Sequence, residues 1–342
     1  MKTYLTLLIV ACQSVAALAQ TDKTPYLTKS LSNDAINSVV VSTSGGGIMV
    51  SGESGQSPRI EVYIKGNNNQ ELSKEEIAKR LEEDYLMNID VNGHELSATV
   101  KNKHNFSNWR RQMSISFKIY VPQAVSTQLK TSGGGISLDN LKGNENFSTS
   151  GGGLDIEKVT GVIRGRTSGG GINVRDCGDD IDLHTSGGGI DAKNCTGKIS
   201  LTTSGGGLEL NGLKGTINAH TSGGGINGGN IEGELVTYTS GGGIDLRDMN
   251  CSLDAGTSGG DLRAEMKGVG KYIKLRASAG SIDLVLPTKG FDLDIAAQQV
   301  SQLKLTNFSG EWNRNHIRGT LNGGGVPVEA HASSGDVSIK FN

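Results

Sequence analysis

Thr185-Ser186-Gly187-Gly188-Gly189-Ile190-Asp191-Ala192 is followed 18 residues later by Thr203-Ser204-Gly205-Gly206-Gly207-Leu208-Glu209-Leu210. Thr-Ser-Gly-Gly also begins at Thr131, Thr149, Thr167, Thr221, Thr239 and Thr257, and every interval is 18 residues. Counting the threonine as position 1, position 6 is Ile136, Leu154, Ile172, Ile190, Leu208, Ile226, Ile244 and Leu262. Position 11 runs Leu141, Val159, Cys177, Cys195, Leu213, Ile231, Met249. Position 15 is aliphatic from Ile163 to Leu253, with Glu145 breaking the column in the first copy. Positions 6 and 8, then 15 and 17, alternate with polar neighbours, which is the period of a strand. Each repeat therefore reads as two short strands bordered by turn residues.

A helical repeat is excluded by the glycines and by the alternation. A propeller blade needs roughly 40 residues, so this period is too short. One repeat is then one turn of an all-β, single-stranded parallel β-solenoid (β-helix). Its coils stack at about 4.8 Å, and eight of them make a rod of about 40 Å. No coil can bury its apolar side chains alone, so stability belongs to the stack. The glycine triplet is expected to supply positive φ and close backbone approach at one corner. Continuing the alternation turns the position-1 threonine inward as a ladder.

The chain has 342 residues, 51 of them glycine, and only five prolines, which excludes a collagen-like repeat. A net charge of −2 argues against a nucleic-acid partner, which would call for a basic face. Lys2, the apolar run Leu5 to Ala11 and Ala17-Leu18-Ala19 read as a secretory signal cleaved after residue 19. The alternative is a lipobox at Ile9-Val10-Ala11-Cys12, lipidating Cys12 behind an unusually short apolar run. No later run approaches the ~18 apolar residues of a membrane span. The expected location is beyond the inner membrane, in the periplasm or at the cell surface.

The expected division is signal peptide 1–19, linker 20–37, N-terminal strands with a helix-bearing excursion 38–130, regular solenoid 131–286, and C-terminal strands and cap 287–342. Ser38–Val50, Arg59–Ile64, Ile89–Val100 and Met113–Val121 read as strands. Ser73-Lys74-Glu75-Glu76 resembles a capping box, with Ile77, Leu81 and Tyr85 at helical spacing. A degenerate copy lies at Ala277-Ser278-Ala279-Gly280, an isolated copy at Thr43-Ser44-Gly45-Gly46-Gly47-Ile48, and an echo at Ser333-Ser334-Gly335. Ile282–Leu286, Phe291–Ile295, Gly323-Gly324-Gly325 and Val337–Phe341 are expected to give the closing strands.

Ile119-Tyr120-Val121-Pro122 leading into Leu129-Lys130-Thr131-Ser132-Gly133-Gly134-Gly135-Ile136, the tandem units, and the ending Ala332-Ser333-Ser334-Gly335-Asp336-Val337 are similar to the bacterial adhesin β-solenoid family. The resemblance covers about Ser38 to Asn342. It implies the fold and, by the family's label, adhesion; no catalytic residues come with it.

Position 7 offers Asp155, Asn173, Asp191, Glu209, Asn227 and Asp245 as an exposed file that could meet a hydroxyl-rich glycan or Ca²⁺. The nine-residue calcium repeat is absent, and Arg175, Lys193 and Arg247 at position 9 give the mixed charge of a solvated face. Cys177 and Cys195 share position 11 in adjacent coils, close enough for a disulfide. Parallel side chains make its torsions awkward, and a small apolar slot explains both residues equally. His184 and His220 at position 18 lie two coils apart, too far for one metal. Trp109-Arg110-Arg111 with Lys101 and Lys103 is a small basic patch that an ordinary loop also explains. The sequons at Asn105, Asn194 and Asn307 matter only in a eukaryotic secretory route.

The function expected is an exported, non-catalytic scaffold with no cofactor, presenting its faces to a glycan or cell-envelope component. A polysaccharide-cleaving β-helix enzyme would need polar groups converging where the repeat breaks. An ice- or surface-binding array would need its threonines facing outward.

Overall fold

The computed structural model describes residues 24–52, 55, 57–104, 109–301 and 306–342. The signal segment with Cys12 and the sequon beginning at Asn105 lie outside the described residues. All described strands join one hydrogen-bonded sheet, wound into a parallel β-solenoid.

Each regular coil has a four-residue strand at positions 6–9 and an eight-residue strand from position 12 to the next threonine, as in Ile190–Lys193 and Thr196–Thr203. Like pairs with like in the neighbouring coils: Ile172 with Ile190 with Leu208, and Ile181 with Ile199 with Ile217. Positions 6, 8, 11, 15, 17 and 1 point inward, and the apolar residues among them form one continuous core. Volume is balanced along a column rather than within a coil. Phe147 fills the space left by Gly165, and Leu246 fills that left by Gly228. Close packing needs such compensation, because an unfilled gap forfeits contacts on every side.

The glycine corners stand in single file. A Cβ on the central glycine of any regular copy would lie inside the backbone of the preceding corner; for Gly188 it would be 2.3 Å from Gly170 O. The flanking glycines are less confined, at 3.3 Å for Gly187 and 3.0 Å for Gly189. Close approach is therefore the reason for the central glycine, but the expected positive φ is not found there. Positive φ lies instead at position 13, in Gly161, Asp179, Gly197, Gly215 and Gly233, and at position 10, in Asn140, Lys158, Asp176, Asn194, Gly212, Asn230 and Asp248. Asn, Asp and Gly tolerate that conformation best, and the short strand ends at position 10.

The position-1 threonines are buried, as the alternation requires. Thr185 Oγ1 donates to Gly170 O of the preceding corner at 2.7 Å and accepts from Gly188 N of its own at 3.3 Å. The same clasp recurs at Thr149, Thr167, Thr203, Thr221, Thr239 and Thr257. It satisfies a hydroxyl and two backbone groups that burial would otherwise leave costly.

The ends are built from chain that leaves the stack and returns. Thr43 pairs with Thr131, and Ile48 with Ile136, so the isolated copy is the coil next to the first regular one in space. Glu95–Asn102 and Met113–Tyr120 continue the two parallel stacks beyond it. Antiparallel strands then cover them: Tyr85–Asn92 on the first and Arg59–Gly66 on the second, with Leu27–Ser30 outermost. The stretch Ile89–Val100 is thus not one strand but parts of a hairpin turning at Gly93-His94, where Gly93 has φ +60°. Ser73 caps the helix Lys74–Asp84 by accepting from Glu76 N, while the Glu76 side chain turns to Arg80 at 2.6 Å.

At the other end, Val326–Ala332 and Val337–Phe341 stack parallel on Ile273–Ala277 and Ile282–Leu286, and Phe291–Ala296 and Val300 pair parallel beyond them. His316–Leu321 and Phe308–Trp312 extend this end, pairing antiparallel. Gly323-Gly324-Gly325 is a turn, with φ +84°, +79° and +147°, rather than a strand. Both caps give the terminal coils partners for backbone groups that an open edge would expose.

Candidate functional site

Two outward faces run along the stack. On the short-strand face, Asp155, Asn173, Asp191, Glu209, Asn227 and Asp245 stand in register, one per coil. Position 9 brings their partners: Lys193 Nζ is 2.7 Å from Asp191, Arg247 grips Asp245 through two nitrogens, and Arg175 lies 3.5 Å from Asp155. The Asn227 amide donates to Glu209 at 2.6 Å. The hydrogen bond from Arg247, against the opposing pull of burial and with the charges of Arg247 and Arg263 helping, holds the Asp245 carboxyl below its ordinary range. Pairing of this kind on an exposed face stabilises little, so the charges are available for exchange with a ligand.

The file has one break. Asn227-Gly228-Gly229 carries no side chain at positions 8 and 9, which leaves a shallow notch between Glu209 and Asn211 on one side and Asp245 and Arg247 on the other.

The long-strand face carries positions 14, 16 and 18. Arg164 and Asp180 form an ion pair across coils. His184, Thr202 and His220 follow one another in register along position 18, and no cluster of metal-ligating side chains occurs among the described residues. Towards the C-terminal end, two residues are inserted between Thr257 and Ala277, and the strand register shifts at Met249 and again after Cys251. Polar side chains meet beside this irregularity. Asp254 receives Arg276 at 2.9 Å and the Tyr238 hydroxyl, while Tyr272 donates to Glu234 at 2.9 Å. Burial, with Glu234 beside it, pushes the Tyr272 phenol up to about 12. Burial and then Asp254 raise Tyr238. Both therefore stay neutral donors at physiological pH.

The sequence pattern of Toastrack DUF4097 matches residues 36–340. The chain belongs to the Toastrack family. No curated protein matches it. Among solved structures, a "putative cell adhesion protein" from Clostridium sporogenes is 10% identical, with 92% of this chain and 98% of that one covered and a TM-score of 0.21. A "putative adhesin" from Bacteroides fragilis is 12% identical over 92% and 96%, at 0.22. A "putative lipid binding protein" from Parabacteroides distasonis is 12% identical over 93% and 97%, at 0.27. The fold rests on the strand register above.

Among the described residues of this Toastrack chain, Cys177, Cys195 and Cys251 are free and buried. Cys177 donates to Arg175 O at 3.1 Å and Cys195 to Lys193 O at 3.2 Å, each filling the position that holds Leu, Val, Ile or Met elsewhere. The hydrogen bond with Cys195, then burial, pushes Cys177 far above the ordinary thiol range, and burial alone brings Cys251 to about 12. Alkylation in denaturant without reductant is expected to label all three. Labelling of Cys251 alone would show Cys177 and Cys195 joined.

The basic patch of the excursion is tied internally in part. Arg111 bridges Asp84 at 2.8 Å and Glu83 at 2.7 Å, holding the end of the helix. No helix among the described residues is long and apolar enough to cross a membrane. Tyr238, Asp254, Tyr272 and Arg276 carried no signal in the repeat. The only hint was the 20-residue interval from Thr257 to Ala277.

Proposed function

We propose that the chain is an exported, non-catalytic scaffold that binds at the cell surface or in the periplasm through its in-register polar faces. The observation that carries the reading is the position-7 file, six exchangeable polar side chains one coil apart, opened at the Gly228–Gly229 notch. A rigid row of this kind suits an extended partner offering a repeated set of hydroxyls, such as an envelope glycan. Export is supported by the charge, apolar run and small-residue site of residues 1–19.

Catalysis finds little support in the electrostatics. A general acid or base works best with a pKa near the operating pH. The carboxyl brought there by its surroundings, Glu145, lies in the core, and the phenols beside Asp254 and Glu234 are raised.

The test uses the mature chain, residues 20–342, on a glycan array and on whole bacterial cells. Saturable retention is expected, reduced by the combined change Asp191→Ala, Glu209→Ala, Asp245→Ala at unchanged melting temperature. Blank results on both the array and the cells would refute the scaffold reading.

A further inference from the structure

We propose that the long-strand face holds a second recognition site, a subsite for a neutral pyranose ring stacked on Tyr238. It rests on the reading of the chain as a binding scaffold and adds a ligand class and a place that the position-7 file does not define.

Tyr238 does not stand out from the sheet as an ordinary surface tyrosine would. Gly256 follows it at position 18 in the next coil, and a Cβ there would lie 2.8 Å from the ring carbons Cδ1 and Cε1. The ring therefore leans along the axis over Gly256, in space that any other residue would fill. Its hydroxyl is held at the far side by Asp254 and by Arg276, whose Nη1 is 3.2 Å away. His220, from the coil before, meets the ring edge-on with centroids 5.6 Å apart. Three coils thus fix one aromatic platform, half-buried and tethered. A ligand stacking on it need not first order the side chain, which removes part of the usual cost of binding.

The platform lies in a groove of about 430 Å³, within the range of small-ligand sites. Along one wall run the exposed hydroxyls of Ser222, Ser240, Ser258 and Ser278, one per coil. None of the four makes a side-chain hydrogen bond among the described residues. They repeat at the coil rise of about 4.8 Å, close to the length of a sugar ring. An aromatic face beside a row of unused hydroxyls matches the two chemistries of a pyranose, its C–H face and its equatorial hydroxyls. Charge selects a neutral sugar. Arg276, the groove's permanent cation, is already neutralised by Asp254 at 2.9 Å, so a uronate would find no unpaired partner there.

Saturation-transfer NMR on the mature chain tests this, with cellohexaose, mannohexaose, xylohexaose and chitohexaose as neutral probes and tetragalacturonate as the anionic one. At least one neutral hexasaccharide is expected to receive transfer from the aromatic protons. Tyr238→Ala should weaken its binding at least about tenfold, the loss of a central aromatic contact. Tyr238→Phe, which keeps the ring, should retain most of it. Gly256→Ala removes no groove side chain but displaces the Tyr238 ring, and should weaken binding as Tyr238→Ala does. Transfer to tetragalacturonate alone, to no probe, or to a neutral probe undiminished in Tyr238→Ala would overturn the subsite. If cells and array still retain the chain in those cases, the scaffold reading stands without it; if they are blank too, both fall.

Discussion

Gly188→Ala is expected to destabilise the protein by about 3 kcal/mol or more, or to prevent folding, while Gly187→Ala costs about 1 kcal/mol at most. The two residues are neighbours with the same chemistry. The difference lies in what faces them. The added methyl at 188 would meet Gly170 O at 2.3 Å and Gly170 C and Gly171 N at 2.5 Å, all backbone. At 187 the nearest atoms are Ser168 O and Gly169 O, both at 3.3 Å, which a shift of a few tenths of an ångström relieves. No such relief is open at 188. Gly187 N donates to Ser168 O at 2.9 Å on one side of the corner, and Gly189 O accepts from Ile172 N at 3.0 Å on the other, both bonds to the coil that carries Gly170. Separating the coils enough for the methyl would stretch these bonds and unseat the Thr185 clasp. Urea unfolding of the parent and both variants decides the matter; equal midpoints for the two variants would contradict it.

Glu145→Leu is expected to stabilise the protein at pH 8 by about 3 kcal/mol, with most of the gain gone by pH 4.5. Glu145 occupies the position-15 column between Thr127 and Ile163 and is 1% exposed. Thr127 Oγ1 donates to its Oε2 at 2.5 Å, but Oε1 has no partner. Burial therefore raises the carboxyl from its ordinary 4.5 to about 7, against the opposing pull of Thr127. The folded protein holds this proton more tightly than the unfolded one between those two values. The contribution of Glu145 to stability thus falls as pH rises from about 4.5 through about 7, and is flat above. Leucine, which fits the column and does not titrate, removes the fall. Other carboxylates give slopes of their own, so the measured quantity is the variant's stability minus the parent's at each pH. A difference that stayed constant from pH 5 to pH 8 would exclude the buried titration.

The coil was legible because every copy poses the same steric question and obtains the same answer. Ile136 to Leu262 at position 6 and the threonines at position 1 point inward for reasons that alternation alone supplies. The left-handed turn at position 10 was also written in the chain, as Asn140, Asp176, Asn194, Gly212, Asn230 and Asp248, but Lys158 at the same place obscures the type. What periodicity cannot convey is return. Thr43 pairs with Thr131 only because the intervening excursion folds back over the end of the stack, and spacing says nothing about where a long insertion comes to rest. The groove at Tyr238 was hidden for a related reason. Tyr238 and Arg276 share the position-18 column with His184, Thr202, His220 and Gly256, Asp254 lies in position 16, and two inserted residues help bring Tyr272 and Arg276 beside them. Position 18 changes residue type from coil to coil, and the serine file beside it belongs to every copy, so neither marks this place.

The hydrogen bonds between coils point along the axis, and the strand Leu27–Ser30 lies at one end with Val337–Phe341 at the other. Tension applied through the two termini therefore draws those bonds apart lengthwise, one layer after another, instead of shearing many at once. Each regular coil that peels away releases about 60 Å of slack while the layers behind it keep their shape. A molecule of this design, strung between a cell and a surface, would lengthen in steps under load and shield its attachment from the peak force.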